Sequence, residues 1–183
     1  MNAWLIGGIV VALIAVIAIA ATAAFFLDLS SYTATGTQTL SSIGPSMGRA
    51  LVIYDPGLSG AAKNAAQMVA GDLQQKGYTV DLAGVRGGAA ASTSNYSVIV
   101  AGGPMYFAKA TSSIAAFLKT LTPRQQLRLG VFVTTGSSKF VESDFTSLQQ
   151  QVKSTTTIPA HYGMVLTGNE TQNCADLVSN LLK

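Results

Sequence analysis

Residues 96–107 contain an apolar run followed by a glycine pair and a Pro-Met-Tyr-Phe segment: Tyr96-Ser97-Val98-Ile99-Val100-Ala101-Gly102-Gly103-Pro104-Met105-Tyr106-Phe107. The core of this run, Ser97–Ala101, is apolar on successive positions, which predicts a strand buried on both faces, as in a parallel sheet. Four further runs of this kind predict strands, at Ala50–Tyr54, Tyr78–Leu82, Leu129–Thr134 and Tyr162–Leu166.

Helical patterns separate most of these strands. Apolar residues recur three or four positions apart in four segments. These are Ala62, Ala65, Ala66, Val69 and Leu73; Ile114, Phe117, Leu118 and Leu121; Val141, Phe145, Leu148 and Val152; and Cys174, Leu177, Val178 and Leu181. The segment Ala83–Asn95 is rich in Gly, Ala and Ser, so the second crossover helix is expected to be short or missing. Five strands alternating with four helices predict an α/β fold, a doubly wound five-stranded parallel sheet in residues 49–183.

The N-terminal part of the chain has a different composition. Ala3–Leu27 contains no charged residue, and as a helix it would be roughly 37 Å long, enough to cross a hydrocarbon core of about 30 Å. A cleaved signal peptide is the alternative, but such peptides begin with basic residues and have a shorter apolar core. We therefore predict a single transmembrane helix in residues 1–28 that binds the membrane, followed by a Ser/Thr-rich linker in residues 29–48.

The predicted sheet also indicates where a ligand would bind. In open α/β sheets, ligands lie beyond the carboxyl ends of the strands. The segments at those ends are Asp55–Gly60, Gly102–Phe107 and Thr135–Ser138. A candidate site is therefore expected where these three segments meet.

These segments resemble those of flavodoxin-like proteins, in particular the short flavodoxin-domain proteins. Ala50–Asp55 with its Gly/Ser loop resembles the family's first strand and phosphate loop, and residues 96–107 resemble its Gly-x-Pro-x-Tyr signature. Leu129–Gly136 is similar to the strand and Thr-Gly loop that close the flavin pocket. The resemblance covers roughly Arg49–Lys183 and implies a flavodoxin-like fold that binds FMN. The residues it implies for the cofactor site are Gly57, Ser59, Gly60, Ala61, Gly103, Pro104, Met105, Tyr106, Phe107, Thr135, Gly136 and Ser137.

The phosphate loop departs from the family's hydroxyl-rich pattern. Only Ser59 supplies a hydroxyl, Pro56 has no N–H group, and Asp55 adds a negative charge. The amides from Gly57 to Ala62 can still form an anion-binding nest, and Lys63 can add positive charge.

Several of the candidate residues have a second interpretation. Tyr106 either stacks on a flavin ring or covers the end of the sheet, and Met105 and Phe107 are of a type more often found in a core. The remaining candidates, glycines and hydroxyl residues alike, are also ordinary turn residues. Asp55 is expected to cap a turn rather than to take part in catalysis.

Other chemistries are excluded by what the chain lacks. It has one histidine, His161, and one cysteine, Cys174, so neither a zinc cluster nor a Cys-x-x-Cys motif is present. Gly57–Lys63 lacks the Gly-Lys-Ser/Thr ending of a Walker loop. The net charge is only +3 and the basic residues are scattered, which argues against a nucleic-acid partner. We predict no catalytic side chain and no metal.

The resulting hypothesis is a membrane-anchored flavodoxin-like protein that binds FMN and mediates electron transfer or flavin-dependent reduction. Its partner would be a redox protein or a quinone. Because the resemblance implies a cytoplasmic redox protein, the folded domain is expected in the cytoplasm. The alternative is a cofactor-free flavodoxin-fold domain that serves as an interaction or assembly module of a membrane complex.

Overall fold

The computed structural model describes residues 11–19 and 34–183. The chain divides into two compact units, Met1–Tyr32 and Thr33–Lys183. In the first unit, residues 11–19 are helical. The second unit contains the α/β fold and every candidate site residue.

The predicted membrane anchor is not supported. Within residues 11–19 and 34–183, no helix combines the length and the apolar character that crossing a membrane requires. This finding contradicts the predicted single-pass membrane localisation. The rest of the predicted anchor Ala3–Leu27 lies outside the described residues.

Seven strands form one mixed sheet in the second unit. Their order is β1-β3-β2-β4-β6-β7, and β5 pairs with β4 alone. The strands are β1 Thr37–Leu40, β2 Gly48–Tyr54, β3 Tyr78–Gly84, β4 Val98–Tyr106, β5 Lys109–Ala110, β6 Arg128–Thr135 and β7 Ala160–Leu166. The five predicted strands are the parallel ones, β2, β3, β4, β6 and β7. The prediction of five strands in all is wrong, because β1 pairs antiparallel with β3 and β5 pairs antiparallel with β4.

Three helices connect parallel strands and a fourth follows the last strand: α1 Ala61–Gln75, α2 Ser112–Thr120, α3 Glu142–Thr155 and, after β7, α4 Glu170–Leu182. Between β3 and β4 the chain instead makes two short 3₁₀ turns, Gly88–Ala91 and Thr93–Asn95. This confirms the prediction that the second crossover helix is short or missing, because a segment of Gly, Ala and Ser has little apolar surface to bury.

The core lies on both faces of the sheet. Side chains alternate along each strand, so β2 sends Leu51 and Ile53 into one cluster and Val52 into the other. The first cluster includes Ile114 and Leu148 from α2 and α3. The second contains residues of α1 and α4, with Phe132 of β6 fully buried at its centre. This burial on both faces explains why the strands appear in the sequence as unbroken apolar runs.

Strand β1 arises inside the segment predicted to be a linker. It is held by Asp81 of β3, a buried carboxylate that accepts hydrogen bonds from Thr39 Oγ1 at 2.5 Å and Tyr96 Oη at 2.7 Å. Arg49 Nη2 lies 2.5 Å from the same carboxylate. Burial alone would raise the pKa of Asp81, but the hydrogen bonds from Thr39, Tyr96 and Arg49 and the Arg49 charge lower it below its usual value. A Ser/Thr-rich segment therefore becomes a strand because one of its threonines bonds a buried acid.

Candidate functional site

The loops that follow β2, β4 and β6 meet at one edge of the sheet. These three strands are neighbours and run parallel, so their carboxyl ends lie side by side. Adjacent strands are about 4.8 Å apart, which places the outer two loops roughly 10 Å from each other. We call this edge the carboxyl-end site. The residues that the sequence analysis nominated all lie in the segments that reach this edge.

In the loop after β2, Asp55 caps the turn, as its second interpretation proposed. Its buried carboxylate accepts the N–H of Gly57 at 3.1 Å and the hydroxyl of Ser113. Both carboxylate oxygens are thus engaged within the protein. The acid ties the loop to the first turn of α2, and the Gly57 amide is not free for a ligand.

Position 57 requires a glycine, both because of its backbone conformation and because no space is left for a side chain. Its φ is +60°, and a Cβ at this position would lie 2.6 Å from Pro104 Cγ and 3.1 Å from Tyr106 Oη. The neighbouring Leu58 N–H donates to Tyr106 Oη at 3.5 Å. Pro104 and Tyr106 therefore cover the first half of the loop, which is the second interpretation given to Tyr106.

The second half of the loop opens onto the N-terminus of α1. Gly60 precedes the helix with φ 73° and no side chain caps it, while the Ala61 N–H donates to Ser59 Oγ at 3.3 Å. The first helical bond runs from the Asn64 N–H to the Gly60 carbonyl, so the amides of Ala62 and Lys63 have no acceptor within the helix.

Charge at this helix terminus favours an anion. The first turn of α1 contains no acidic residue and includes the exposed Lys63, whereas α3 and α4 begin with Glu142 and Glu170. A Cβ built on Gly60 would meet nothing within 4 Å. Glu170 lines the cavity beside this terminus and offsets part of the positive charge. The open, uncapped N-terminus with a lysine in its first turn still supplies donors for a phosphate or a carboxylate.

The segment after the third predicted strand is not a loop. Strand β4 continues to Tyr106, which pairs with Lys109 of β5 across a two-residue turn. Gly102 is needed because a Cβ there would lie 2.3 Å from the ring of Phe132, and at Gly103 it would meet Asp55 Cβ at 3.1 Å. Gly103 thus serves internal packing and does not face a ligand.

The two residues of this turn are both in the left-handed region. Phe107 has φ 51° and Ala108 has φ 59°, a conformation that costs a non-glycine residue about 1–2 kcal/mol. Met105 packs partly buried against the core, as its second interpretation proposed. Phe107 does not, because 91% of it is exposed.

The turn after β6 is closed by its own hydrogen bonds. The Ser137 N–H donates to Thr135 Oγ1 at 3.2 Å, and Ser137 Oγ donates to the Lys139 carbonyl at 2.9 Å. Gly136 is exposed and has open space around its Cα. Thr135 and Ser137 thus shape the turn, and Gly136 leaves room beside it.

One large apolar side chain is exposed in each of the first two segments, and a third, Phe140, lies two residues beyond Ser138 with its ring 5.8 Å from that of Phe145. Leu58, Phe107 and Phe140 are 51%, 91% and 54% exposed. We call these three residues the apolar tips. Only Phe107 was nominated from the sequence. Leu58 and Phe140 could have been nominated as exposed apolar residues, because each is an apolar residue in a short, mostly polar loop that follows a buried strand.

A small cavity lies next to the N-terminus of α1. It has a volume of about 150 Å³ and its lining includes Ala61, Asn64, Thr134, Thr135, Thr167 and Glu170. Ligand pockets usually have about 300–1,000 Å³, so this cavity is too small to enclose a flavin. A planar ring at this edge would lie between the apolar tips, partly open to solvent.

Metal chemistry has no support in the part of the chain that the structure describes, since it contains no group of three or more His, Cys, Asp or Glu side chains that could hold an ion. Cys174 is buried in α4. Its burial raises the pKa of the thiol to about 12, so this cysteine is a packed and unreactive residue.

No protein-family model matches the chain, and no curated protein matches its sequence. Solved structures do match. Flavodoxin 2 from Bacillus cereus is 12% identical with a TM-score of 0.53, covering 73% of this chain and 97% of that one. The flavodoxin of Streptococcus pneumonia TIGR4 is 13% identical with a TM-score of 0.52, over 73% and 97%. An oxidoreductase from Corynebacterium diphtheriae is 12% identical with a TM-score of 0.51, over 75% and 98%.

These likenesses define the class of the fold: the α/β unit is flavodoxin-like, as predicted. With identities this low, the likeness shows the fold alone.

Proposed function

We propose that this protein binds FMN at the carboxyl-end site and mediates electron transfer or flavin-dependent reduction. The observation that carries the proposal is the uncapped N-terminus of α1, whose first turn contains no acidic residue and which lies where the segments after β2, β4 and β6 meet. The flavodoxin-like fold supports it, since ligands in open α/β sheets bind at this edge.

The phosphate would be held by the second half of the β2–α1 loop. The Ser59 hydroxyl, the amides of Ala62 and Lys63 and the Lys63 ammonium group supply donors and positive charge there. Gly60 leaves the approach open. These residues fit a phosphate with fewer donors than the family pattern, because the amides of Gly57 and Leu58 are engaged by Asp55 and Tyr106.

The flavin ring would lie between the β4–β5 turn and the turn after β6. Tyr106 and Phe107 offer aromatic surface on one side, and Thr135, Gly136 and Ser137 border the other. Bound FMN would supply the redox chemistry, while the protein positions the ring and limits its contact with water. Asp55 is not placed as a proton donor, because both of its oxygens already accept hydrogen bonds. Electron transfer therefore suits the site better than a reaction that needs an acid.

The apolar tips would meet the electron-transfer partner, a redox protein or a quinone. Apolar side chains exposed at the edge where the flavin would lie favour such a contact. Phe107, at 91% exposure, is the most prominent of them.

Fluorescence titration tests the proposal with two flavins, FMN and riboflavin, which lacks the phosphate. We expect the protein to quench FMN and to bind it at least about tenfold more tightly than riboflavin, as two charge-assisted hydrogen bonds to phosphate imply. Lys63→Glu should remove most of that preference. Lys76→Glu, just beyond the other end of the same helix, is the matched control and should leave it unchanged. Absence of quenching by either flavin at high protein concentration would refute the proposal.

One observation favours the alternative, a cofactor-free interaction or assembly module. The amides of Gly57, Leu58 and Ala61 are satisfied by Asp55, Tyr106 and Ser59, so most of the loop is complete without a ligand. The same titration separates the two functions, because a module of this kind quenches neither flavin.

A further inference from the structure

We infer that Tyr106 is a lid over the β2–α1 loop: in the ligand-free protein its hydroxyl occupies the Leu58 amide, and displacement of this hydroxyl frees that amide as an additional donor to the phosphate. This inference rests on the proposed function. It assigns to Tyr106 control over affinity for the phosphate-bearing flavin, in addition to any contact between its ring and the ligand.

The contacts at the loop carry the inference. The Leu58 N–H donates to Tyr106 Oη at 3.5 Å, and the same oxygen lies 3.1 Å from the position of a Cβ on Gly57. Pro104, two residues before the tyrosine, covers the other side of Gly57. An anion that used the Leu58 amide would therefore have to take the place of this hydroxyl.

The geometry also indicates that the lid can open. The Leu58–Tyr106 hydrogen bond is long and exposed, hence weak. The turn beyond Tyr106 holds Phe107 and Ala108 in the left-handed region, where non-glycine residues are strained. Strain of this kind, together with a weak closing contact, favours a segment that moves when a ligand offers a better contact.

One end of the hairpin is fixed. The Gln151 side chain accepts the Ala110 N–H at 2.9 Å and donates to the Ala110 carbonyl at 3.4 Å. Ala110 is thereby fastened to α3. Opening would thus involve residues 106–109, with Ala110 as the hinge point.

Tyr106→Phe tests the lid because it keeps the ring and removes the hydroxyl. When the lid is closed in part of the molecules, the apparent affinity is the intrinsic affinity multiplied by the fraction of molecules that are open. We expect FMN to bind the variant about twofold more tightly, the gain from losing one weak hydrogen bond of the closed form. Riboflavin should bind as before, since it has no phosphate to compete with the hydroxyl. Tyr162→Phe removes a tyrosine hydroxyl elsewhere in the sheet and should change neither affinity.

Amide hydrogen exchange on the ligand-free protein gives a second, flavin-independent readout. In Tyr106→Phe the Leu58 amide should exchange about twofold faster, while the Gly57 amide, held by Asp55, keeps its rate. Unchanged exchange at Leu58, or FMN affinity that stays equal or falls, would overturn the lid. If neither protein binds FMN, the proposed function fails, and the exchange rate of Leu58 alone decides whether the hydroxyl closes the loop.

Discussion

Replacement of Asp81 by asparagine should destabilise the fold through the hydrogen bonds that hold β1. The carboxylate is buried and accepts from Thr39 and Tyr96, and it also faces Arg49. Asparagine keeps one acceptor oxygen, but its NH₂ group replaces the other acceptor, so one of the groups that donate to Asp81 loses its partner. We expect a loss of about 2–3 kcal/mol, the usual cost of breaking a charge-assisted hydrogen bond and leaving a buried hydroxyl without an acceptor. Arg49 is half exposed, so its ion pair adds little.

Urea denaturation at pH 7 measures this loss. With a slope of about 2 kcal/mol per M, the midpoint should fall by roughly 1 M. Asp176→Asn is the control, because Asp176 is exposed and bonds only Gln172. It should change stability by less than about 0.5 kcal/mol. If Asp81→Asn behaved like this control, the account of why β1 forms would be refuted.

The stability difference between the natural chain and Asp81→Asn should also depend on pH. The pKa of Asp81 is lowered in the folded protein, against an unfolded value of about 3.9. Its contribution to stability is therefore complete above the unfolded pKa and disappears as the pH falls through the folded pKa. The stability difference between the natural chain and Asp81→Asn should be constant from pH 7 to 5 and should narrow towards pH 3. A difference that stays constant to pH 3 would show that the carboxylate is not stabilised as its contacts imply.

Two further substitutions test the geometry around the site. Gly102→Ala should lower the free energy of unfolding, measured by thermal or urea denaturation, by about 3 kcal/mol, because the new methyl group would lie 2.3 Å from the buried Phe132 ring. The control is Gly136→Ala, since a Cβ at Gly136 meets nothing within 4 Å. Equal losses of stability in the two variants would contradict this packing. Ala108→Gly should stabilise the protein by about 0.5–1 kcal/mol, because glycine adopts φ 59° without strain; a loss of stability would mean that the turn is not strained.

The parallel strands could be predicted because burial on both faces leaves an unbroken apolar run. Strand β1 could not, since Thr37-Gln38-Thr39-Leu40 has the composition of a linker. It forms through a contact with Asp81, 42 positions along the chain from Thr39. Strand β5 has only two residues, which is too short for any periodicity to appear.

The location of the site could also be predicted, because carboxyl ends of parallel strands share an edge. Which backbone amides of the site are already hydrogen-bonded within the protein could not be predicted. Asp55 meets Ser113 at a separation of 58 residues, and Leu58 meets Tyr106 at 48. Such pairings depend on how β4 continues past the edge of the sheet, and no local pattern indicates that. The exposure of Leu58 and Phe140 was missed for a related reason, since an apolar residue near a strand end usually packs inward.

The position of FMN is tested most directly by amide chemical shifts of the ¹⁵N-labelled protein during an FMN titration. The largest shifts should occur at Ala62 and Lys63, with further shifts at Gly136 and Ser137, because the phosphate and the ring would lie against these segments. Lys63→Glu should reduce these shifts at a subsaturating FMN concentration, because it weakens binding through the phosphate. Shifts confined to another part of the protein, such as the cavity lined by Ser94–Ser97 and Arg124–Leu127, or no shifts at all, would contradict the account.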